Sequence, residues 1–183
     1  ADVAISKFSA DGSTLLYATY LGGTNDDNPM SLIVNSNDEL VILGNTNSVD
    51  FPTTSNAYDQ TYNGSYDLFV TKLSQNGTSL NHSSYIGGIN DDGLNKLTFF
   101  YGDDYRSEVI LDSLDNIYVA SNTSSINFPT SAGAYSMFLN GEQDGCVFKL
   151  SPNLDNLIWS TFLGGTNNDQ ASSLKVNKQG EIL

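Results

Sequence analysis

The strongest constraint on the fold of this chain is a short segment that occurs three times. It reads LGGTNDD at 21–27, IGGINDD at 86–92 and LGGTNND at 163–169. Its glycine pairs are spaced 65 and then 77 residues apart, from 22 to 87 and from 87 to 164. A period of this size indicates a repeat protein, in which each repeat is one supersecondary unit that buries its apolar surface against its neighbours.

Each complete repeat contains four segments with the composition of β-strands. The first carries an Asp, then β-forming residues, then Lys and an apolar residue, and its two alternating sets of side chains are both apolar, which predicts a strand covered on both faces. The second ends on the glycine pair, and a hairpin follows. The first strands span 2–8, 67–73 and 144–150, the second 15–23, 80–88 and 157–165, and the hairpins 31–44, 107–121 and, incompletely, 172–183.

A long connection follows the hairpin in two of the copies. It runs over 45–66 and 122–143 and contains Phe-Pro-Thr at 51–53 and 128–130. We predict that it leads from the outer edge of one sheet to the inner edge of the next. Four-stranded antiparallel sheets that repeat radially form a β-propeller. The predicted fold is therefore an all-β partial propeller of about three blades, with repeats at about 1–66, 67–143 and 144–183.

The repeats resemble the bacterial β-propeller repeat family known as SBBP. The likeness is carried by DGSTLLYATYLGGTNDD at 11–27, by FPTTSNAYDQTYNGSYDLFVTKLS at 51–74 and by the later copies, and it covers nearly the whole chain outside one insertion. The resemblance implies a module of a large secreted or cell-surface bacterial protein, of a kind associated in some relatives with adhesion or gliding. An extracellular localisation is implied in the same way.

Charge and composition narrow the classes of partner. Seven Lys and Arg face 21 Asp and Glu, for a net charge of −14, and such a field repels nucleic-acid phosphates and anionic membrane surfaces. No run reaches the roughly 18 apolar residues of a membrane span. Cys146 is alone, so we expect neither an internal disulfide nor a cysteine-based metal cluster. The strand pattern reaches both ends, which predicts that further blades come from the same polypeptide or from neighbouring subunits.

The acids that end the repeated segment are candidate calcium ligands, because Ca²⁺ takes carboxylate and carbonyl oxygens. The candidates are Asp26, Asp27, Asp91, Asp92 and Asp169. They lack the alternating spacing of a dedicated calcium loop, and aspartates also close turns by accepting backbone hydrogen bonds. Turn closure is the favoured interpretation and calcium the alternative; no other cofactor is predicted.

Residues that recur in every copy are expected to serve the scaffold rather than one active site. Asp2, Asp67 and Asp144 begin the three first strands, and two of them could supply a pair of catalytic carboxylates. Recurrence favours a role as turn anchors. His82 is the only histidine and takes a position that is aromatic in the other copies, which favours packing over general-base catalysis. No catalytic residue is predicted, and the chain is not expected to be an enzyme.

An insertion near 95–106 breaks the period in the second repeat. It combines aromatic rings and acids with the only arginine, and rings supply rigid contact area while arginine supplies a planar fork of donors. The candidate partner-binding residues are Phe99, Phe100, Tyr101, Asp103, Asp104, Tyr105 and Arg106. The alternative is an extended hairpin that packs on its own sheet or on a neighbouring one.

One short motif is a candidate modification site. Asp112-Ser113-Leu114 resembles the Asp-Ser/Thr-apolar triplet used for O-glycosylation in Bacteroidota, and we expect Ser113 in an exposed hairpin turn.

Three functions remain open. The favoured one is a non-catalytic module of an exported cell-surface protein, serving adhesion, as a scaffold or as a platform for a surface protein or glycan. The second is a carbohydrate-binding propeller. The third is an enzyme whose catalytic residues lie outside this segment.

Overall fold

The structure, a computed structural model, describes residues 1–96 and 106–183. This part of the chain is all-β and contains no helix. Its strands are β1 (Val3–Phe8), β2 (Leu15–Leu21), β3 (Asp27–Val34), β4 (Leu40–Thr46), β5 (Asp67–Leu73), β6 (Leu80–Ile86), β7 (Glu108–Leu111), β8 (Ile117–Thr123), β9 (Asp144–Leu150) and β10 (Leu157–Leu163).

The strands form three antiparallel sheets. The first contains only β1 and β2, the second has the order β3-β4-β5-β6, and the third has the order β7-β8-β9-β10. Four strands therefore lie between successive glycine pairs. The prediction of an all-β fold with four-stranded antiparallel sheets is confirmed.

The long connection joins neighbouring strands of the same sheet. Strand β4 pairs with β5 from Leu40↔Leu73 to Thr46↔Asp67, on either side of residues 47–66. The prediction that this segment leads from one sheet to the next is thus wrong, and the chain changes sheets at the glycine pairs instead. Sequence repetition shows how often a unit recurs, but it does not show which strands of two adjacent copies exchange hydrogen bonds.

The same connection covers an edge of its own sheet. Thr54 N–H donates to the carbonyl oxygen of Ser83 at 3.1 Å, and Tyr85 N–H donates to that of Asp59 at 3.0 Å. Residues 131–136 make the corresponding bonds to β10. A covered edge cannot pair with another chain, so β6 and β10 are protected.

Apolar side chains fill the spaces between successive sheets. Phe51, from the first long connection, stacks on Phe69 at a centroid distance of 4.3 Å and packs with Val3 and Ile5 of β1. Phe128 takes the equivalent place in the next copy, where its ring centroid lies 6.0 Å from that of Phe148. The sheets therefore stack in chain order, each against the one before it.

The first strand of each repeat is covered to different extents. All seven residues of β5 are buried, and all but one of β9, as the sequence predicted. In β1, however, Ala4, Ser6 and Phe8 are exposed. The difference arises because β5 and β9 each pair with two strands, whereas β1 pairs only with β2 in the part of the chain that the structure describes.

Three hairpin turns share one set of hydrogen bonds. They begin at Asn35, Asp112 and Asn177, and in each the side-chain Oδ1 accepts the backbone N–H groups two and four residues further on, at 2.9–3.0 Å. The third belongs to the incomplete copy at 172–183, where Val176 and Ile182 form an antiparallel bridge. The incomplete copy therefore starts the same hairpin as β3–β4 and β7–β8.

A lysine near the end of each first strand has partners that vary between copies. Lys72 Nζ lies 3.0 Å from Glu39 Oε2 in the preceding hairpin and also donates to the Pro152 carbonyl oxygen. Lys149 Nζ lies 3.1 Å from Asp112 Oδ2. Lys7 donates to the Gln75 carbonyl oxygen and forms no ion pair with a described residue. The lysine thus links β5 and β9 to their own hairpins.

Replacing Lys72 with Met is expected to reduce the free energy of unfolding by about 3 kcal/mol, because Glu39, whose side chain is only 17 % exposed, loses its counter-ion. Lys7→Met is the matched control and should cost less than about 0.5 kcal/mol. Urea denaturation measures both. Equal losses in the two variants would show that the ion pair does not stabilise the sheet.

Candidate functional site

The repeated glycine segment forms a loop that its last aspartate closes. The second glycine donates its N–H to that carboxylate in every copy: Gly23 to Asp27 at 2.8 Å, Gly88 to Asp92 at 2.7 Å, and Gly165 to Asp169 at 2.7 Å. The structure therefore gives these aspartates a role in closing turns.

The closing aspartate also binds the sheet that the chain is about to enter. Both oxygens of Asp92 accept hydroxyl hydrogen bonds, Oδ1 from Thr123 and Oδ2 from Ser125, and the residue is fully buried. Asp27 accepts the same bonds from Thr46 and Ser48. The carboxylate is therefore the point at which one sheet is connected to the next.

The other two calcium candidates have cationic partners. Asp26 Oδ1 lies 2.8 Å from the N-terminal ammonium, and Asp91 Oδ2 lies 3.5 Å from Lys96 Nζ. Within residues 1–96 and 106–183, no three or more His, Cys, Asp or Glu side chains are grouped to hold a metal ion. Calcium binding by the five aspartates stays a prediction.

In the first two copies, the aspartate that begins the first strand faces the closing aspartate across the first glycine. A Cβ on Gly87 would lie 2.5 Å from Asp67 Oδ1 and 2.8 Å from Asp92 Oδ2, so both oxygens line the space that a side chain would fill. Asp67 Oδ2 accepts the N–H of Asn63 at 2.7 Å, whereas its Oδ1 has no hydrogen-bond partner among the described residues. Asp67 thus anchors the end of the long connection, as the recurrence favoured.

This arrangement places two buried carboxyl groups near each other. Burial raises the pKa of Asp67 to about 7, against the hydrogen bond from Asn63 and with a smaller contribution from the charge of Asp59. Burial likewise raises the pKa of Asp92 to about 7, against its three hydrogen bonds, and the charge of Asp67 adds to the shift. The junction therefore changes its charge near neutral pH.

His82 lies directly across the β5–β6 pair from Lys72. The other copies place Tyr17 opposite Lys7 and Trp159 opposite Lys149. Burial lowers the pKa of His82, and the charge of Lys72 lowers it further. His82 thus holds the cross-strand position that is aromatic elsewhere.

The strand that corresponds to β3 is described on both sides of the insertion. Asp92 bridges Thr123 as Asp27 pairs with Thr46, and β7 begins at Glu108. In β3 the same stretch contains a register shift at 29–31, the kind of irregularity at which a strand leaves its ladder.

Most of the candidate binding residues in the insertion lie outside the described residues. These are Phe99, Phe100, Tyr101, Asp103, Asp104 and Tyr105, whose role stays a prediction. Arg106 is described and is exposed two residues before β7. Ser113 is exposed in the β7–β8 turn, where the sequence placed it, and its glycosylation also stays a prediction.

Sequence reasoning missed a groove beside β1. The groove has a volume of about 750 Å³ and lies between β1 and the β3–β4 hairpin. Its lining is mainly apolar and includes Val3, Ile5, Met30, Leu32 and Val34, with Lys7 at one side. The signal in the sequence was the phase of the repeats, because β1 corresponds to β5 and β9, which also pair with β4 and β8, whereas among the described residues β1 pairs only with β2.

Comparison with protein-family models found no match for this chain, and comparison with curated proteins found none either. The described residues include no helix of the length and apolarity that crossing a membrane requires.

Replacing Gly88 with Ala is expected to reduce the free energy of unfolding by about 1–3 kcal/mol, since the new Cβ would lie 2.5 Å from Asn127 Oδ1 and 2.7 Å from Ser125 Cβ. Gly165→Ala is the matched control at the same repeat position, because its Cβ meets nothing closer than Asp169 Oδ2 at 3.9 Å. It should cost less than about 0.5 kcal/mol. Thermal and urea denaturation measure the difference, and equal effects would contradict the crowding argument.

The buried carboxyl groups predict that stability depends on pH. Burial raises the pKa of Asp67 and that of Asp92 from the ordinary aspartate value of 3.8 to about 7, so the folded protein holds more protons than the unfolded chain between these values. The free energy of unfolding should therefore fall as the pH rises from about 4 to about 7. Asp67→Asn should flatten this slope in urea denaturation, whereas Asp91→Asn, which introduces the residue that the third copy has at 168, should retain it. An unchanged slope in Asp67→Asn would contradict the assignment.

Proposed function

We propose that this chain is a non-catalytic β-propeller module of a larger exported cell-surface protein, where it serves as a scaffold and partner-binding platform in adhesion. One observation carries the proposal: successive units meet through the same contact. Val109 N–H donates to Ser31 Oγ at 3.3 Å, and Leu174 N–H donates to Glu108 Oε2 at 2.7 Å. Ser31 and Glu108 hold equivalent positions in β3 and β7.

The way in which the sheets approach each other supports radial stacking. Strand β3 lies close to β7, whereas the described residues of β6 make no comparable approach to β10. Sheets that converge at one edge and separate at the other are arranged like the blades of a propeller. Further blades of the same polypeptide or neighbouring subunits would complete the ring.

The absence of catalysis is proposed from the roles of the recurring acids. Asp67 anchors a connection, Asp92 closes a loop, and both have counterparts in other copies. A catalytic site needs acids and bases that converge on one substrate position. The extracellular location rests on the resemblance to the SBBP repeats.

Carbohydrate binding is a second candidate, favoured by exposed rings on the second long connection. Tyr135 is 84 % exposed and Phe138 is 73 % exposed. Exposed rings of this kind offer flat apolar faces to a sugar. A glycan array would decide, and hits that Tyr135→Ala abolishes would favour this second function over the first.

The propeller is tested by cryo-electron microscopy of the polypeptide to which these residues belong. We expect a closed ring of four-stranded sheets, with about 4 to 8 blades in total. An open, linear stack of sheets would contradict the propeller. The module should also be retained on the cell surface, and a purely intracellular location by immunolabelling would contradict the export.

A further inference from the structure

The edge of β1 that faces away from β2 pairs with no strand among the described residues. The equivalent edges of β5 and β9 pair with β4 and β8. In the two larger sheets this edge of the first strand binds the second strand of the preceding hairpin, from Leu40↔Leu73 to Thr46↔Asp67 and from Ile117↔Leu150 to Thr123↔Asp144. The two registers are the same relative to the repeat. Applied to β1, they place an added strand opposite residues 2–8.

The side chains beside this edge are those that such a strand would cover. Leu32 is 66 % exposed, Val34 is 55 % exposed and Phe8 is 56 % exposed. Leu32 and Val34 line the groove of about 750 Å³ together with Val3 and Ile5. An extended peptide that adds to the edge would gain main-chain hydrogen bonds from β1 and apolar contacts from the groove, which is the usual basis of recognition by strand addition.

The charge of Lys7 at one side of the groove predicts that the bound strand also carries an acidic residue. Lys72 and Lys149 each pair with a carboxylate of the hairpin bound to their strand, Glu39 and Asp112 respectively. Lys7 holds the same position and makes no such pair within the described residues. A strand that completes this sheet should therefore carry an acid near Lys7.

We propose that the groove beside β1 binds an extended strand of the β4 type from another repeat of this kind, antiparallel to β1, with an acidic residue of its hairpin turn paired to Lys7. The expected register places the residue equivalent to Leu40 opposite Phe8 and the residue equivalent to Thr46 opposite Asp2. The site thus recognises a peptide strand. This inference rests on the repeat architecture of the proposed function and deepens it by naming the partner of one face.

A segment of this chain supplies a peptide with which to test binding at the groove. A synthetic peptide with the sequence of residues 31–46, SLIVNSNDELVILGNT, reproduces the β3–β4 hairpin and is titrated, with a fluorescent label, into the intact chain. Anisotropy should show saturable binding with one peptide per chain. Amide chemical-shift changes should be concentrated in β1 and in residues 32–34. A peptide with Ile42→Pro should not bind, because proline cannot donate to the ladder.

Charge exchange tests the register. Lys7→Glu should weaken binding of the peptide at least tenfold, and a peptide with Glu39→Lys should restore the affinity of that variant. Lys178→Glu is the matched control, since it makes the same charge change at an exposed position outside the groove and should leave the affinity unchanged. Circular dichroism of each variant checks that the sheets remain folded.

Two results would overturn the proposal. They are absence of saturable binding by the 31–46 peptide, and an equal loss of affinity in Lys7→Glu and Lys178→Glu. Failure of the propeller is distinguishable, because an open stack seen by microscopy together with binding at β1 would refute the ring and leave the strand site intact.

Discussion

The hydrogen bond from the second glycine of each repeat to its last aspartate is the interaction on which the architecture depends. In the central copy Gly88 donates to Asp92, and the same carboxylate accepts the hydroxyl groups of Thr123 and Ser125 in the next sheet. One buried side chain therefore ends a strand, shapes the loop and fixes where the following sheet begins. Because it recurs, successive sheets are joined in the same manner.

That interaction carries an electrostatic cost. Closing the loop brings the carboxyl group of Asp92 near that of Asp67, and burial raises the pKa of both to about 7. The glycine between them is required because any side chain would occupy the space of the carboxylate oxygens. In the repeated segment, glycine at position 87 is therefore explained by the lack of space for a side chain, and aspartate at position 92 by the hydrogen bonds that its carboxylate accepts.

The repeat also explains why one face is open. Strands β5 and β9 are enclosed by neighbours on both sides, but β1 contributes only half of a sheet in the part of the chain that the structure describes. Lys7 and Lys72 both donate to a backbone carbonyl oxygen in the corresponding turn of the next repeat. Lys72 also pairs with Glu39 of the preceding hairpin, whereas Lys7 has no such ion pair among the described residues. Stacked repeats bury their surfaces only against each other, so the exposed side of β1 corresponds to the surface that β5 and β9 bury.

The sequence by itself determined the strands, the hairpin turns and the period, because alternation of apolar residues, turn-forming side chains and paired glycines act over a few residues. It also placed His82 in its cross-strand position. Only the tertiary structure decided that β4 pairs with β5, that Asp67 faces Asp92 and that the groove beside β1 is open. Those features depend on contacts between residues more than twenty positions apart, where equally regular repeats permit several pairings until packing selects one.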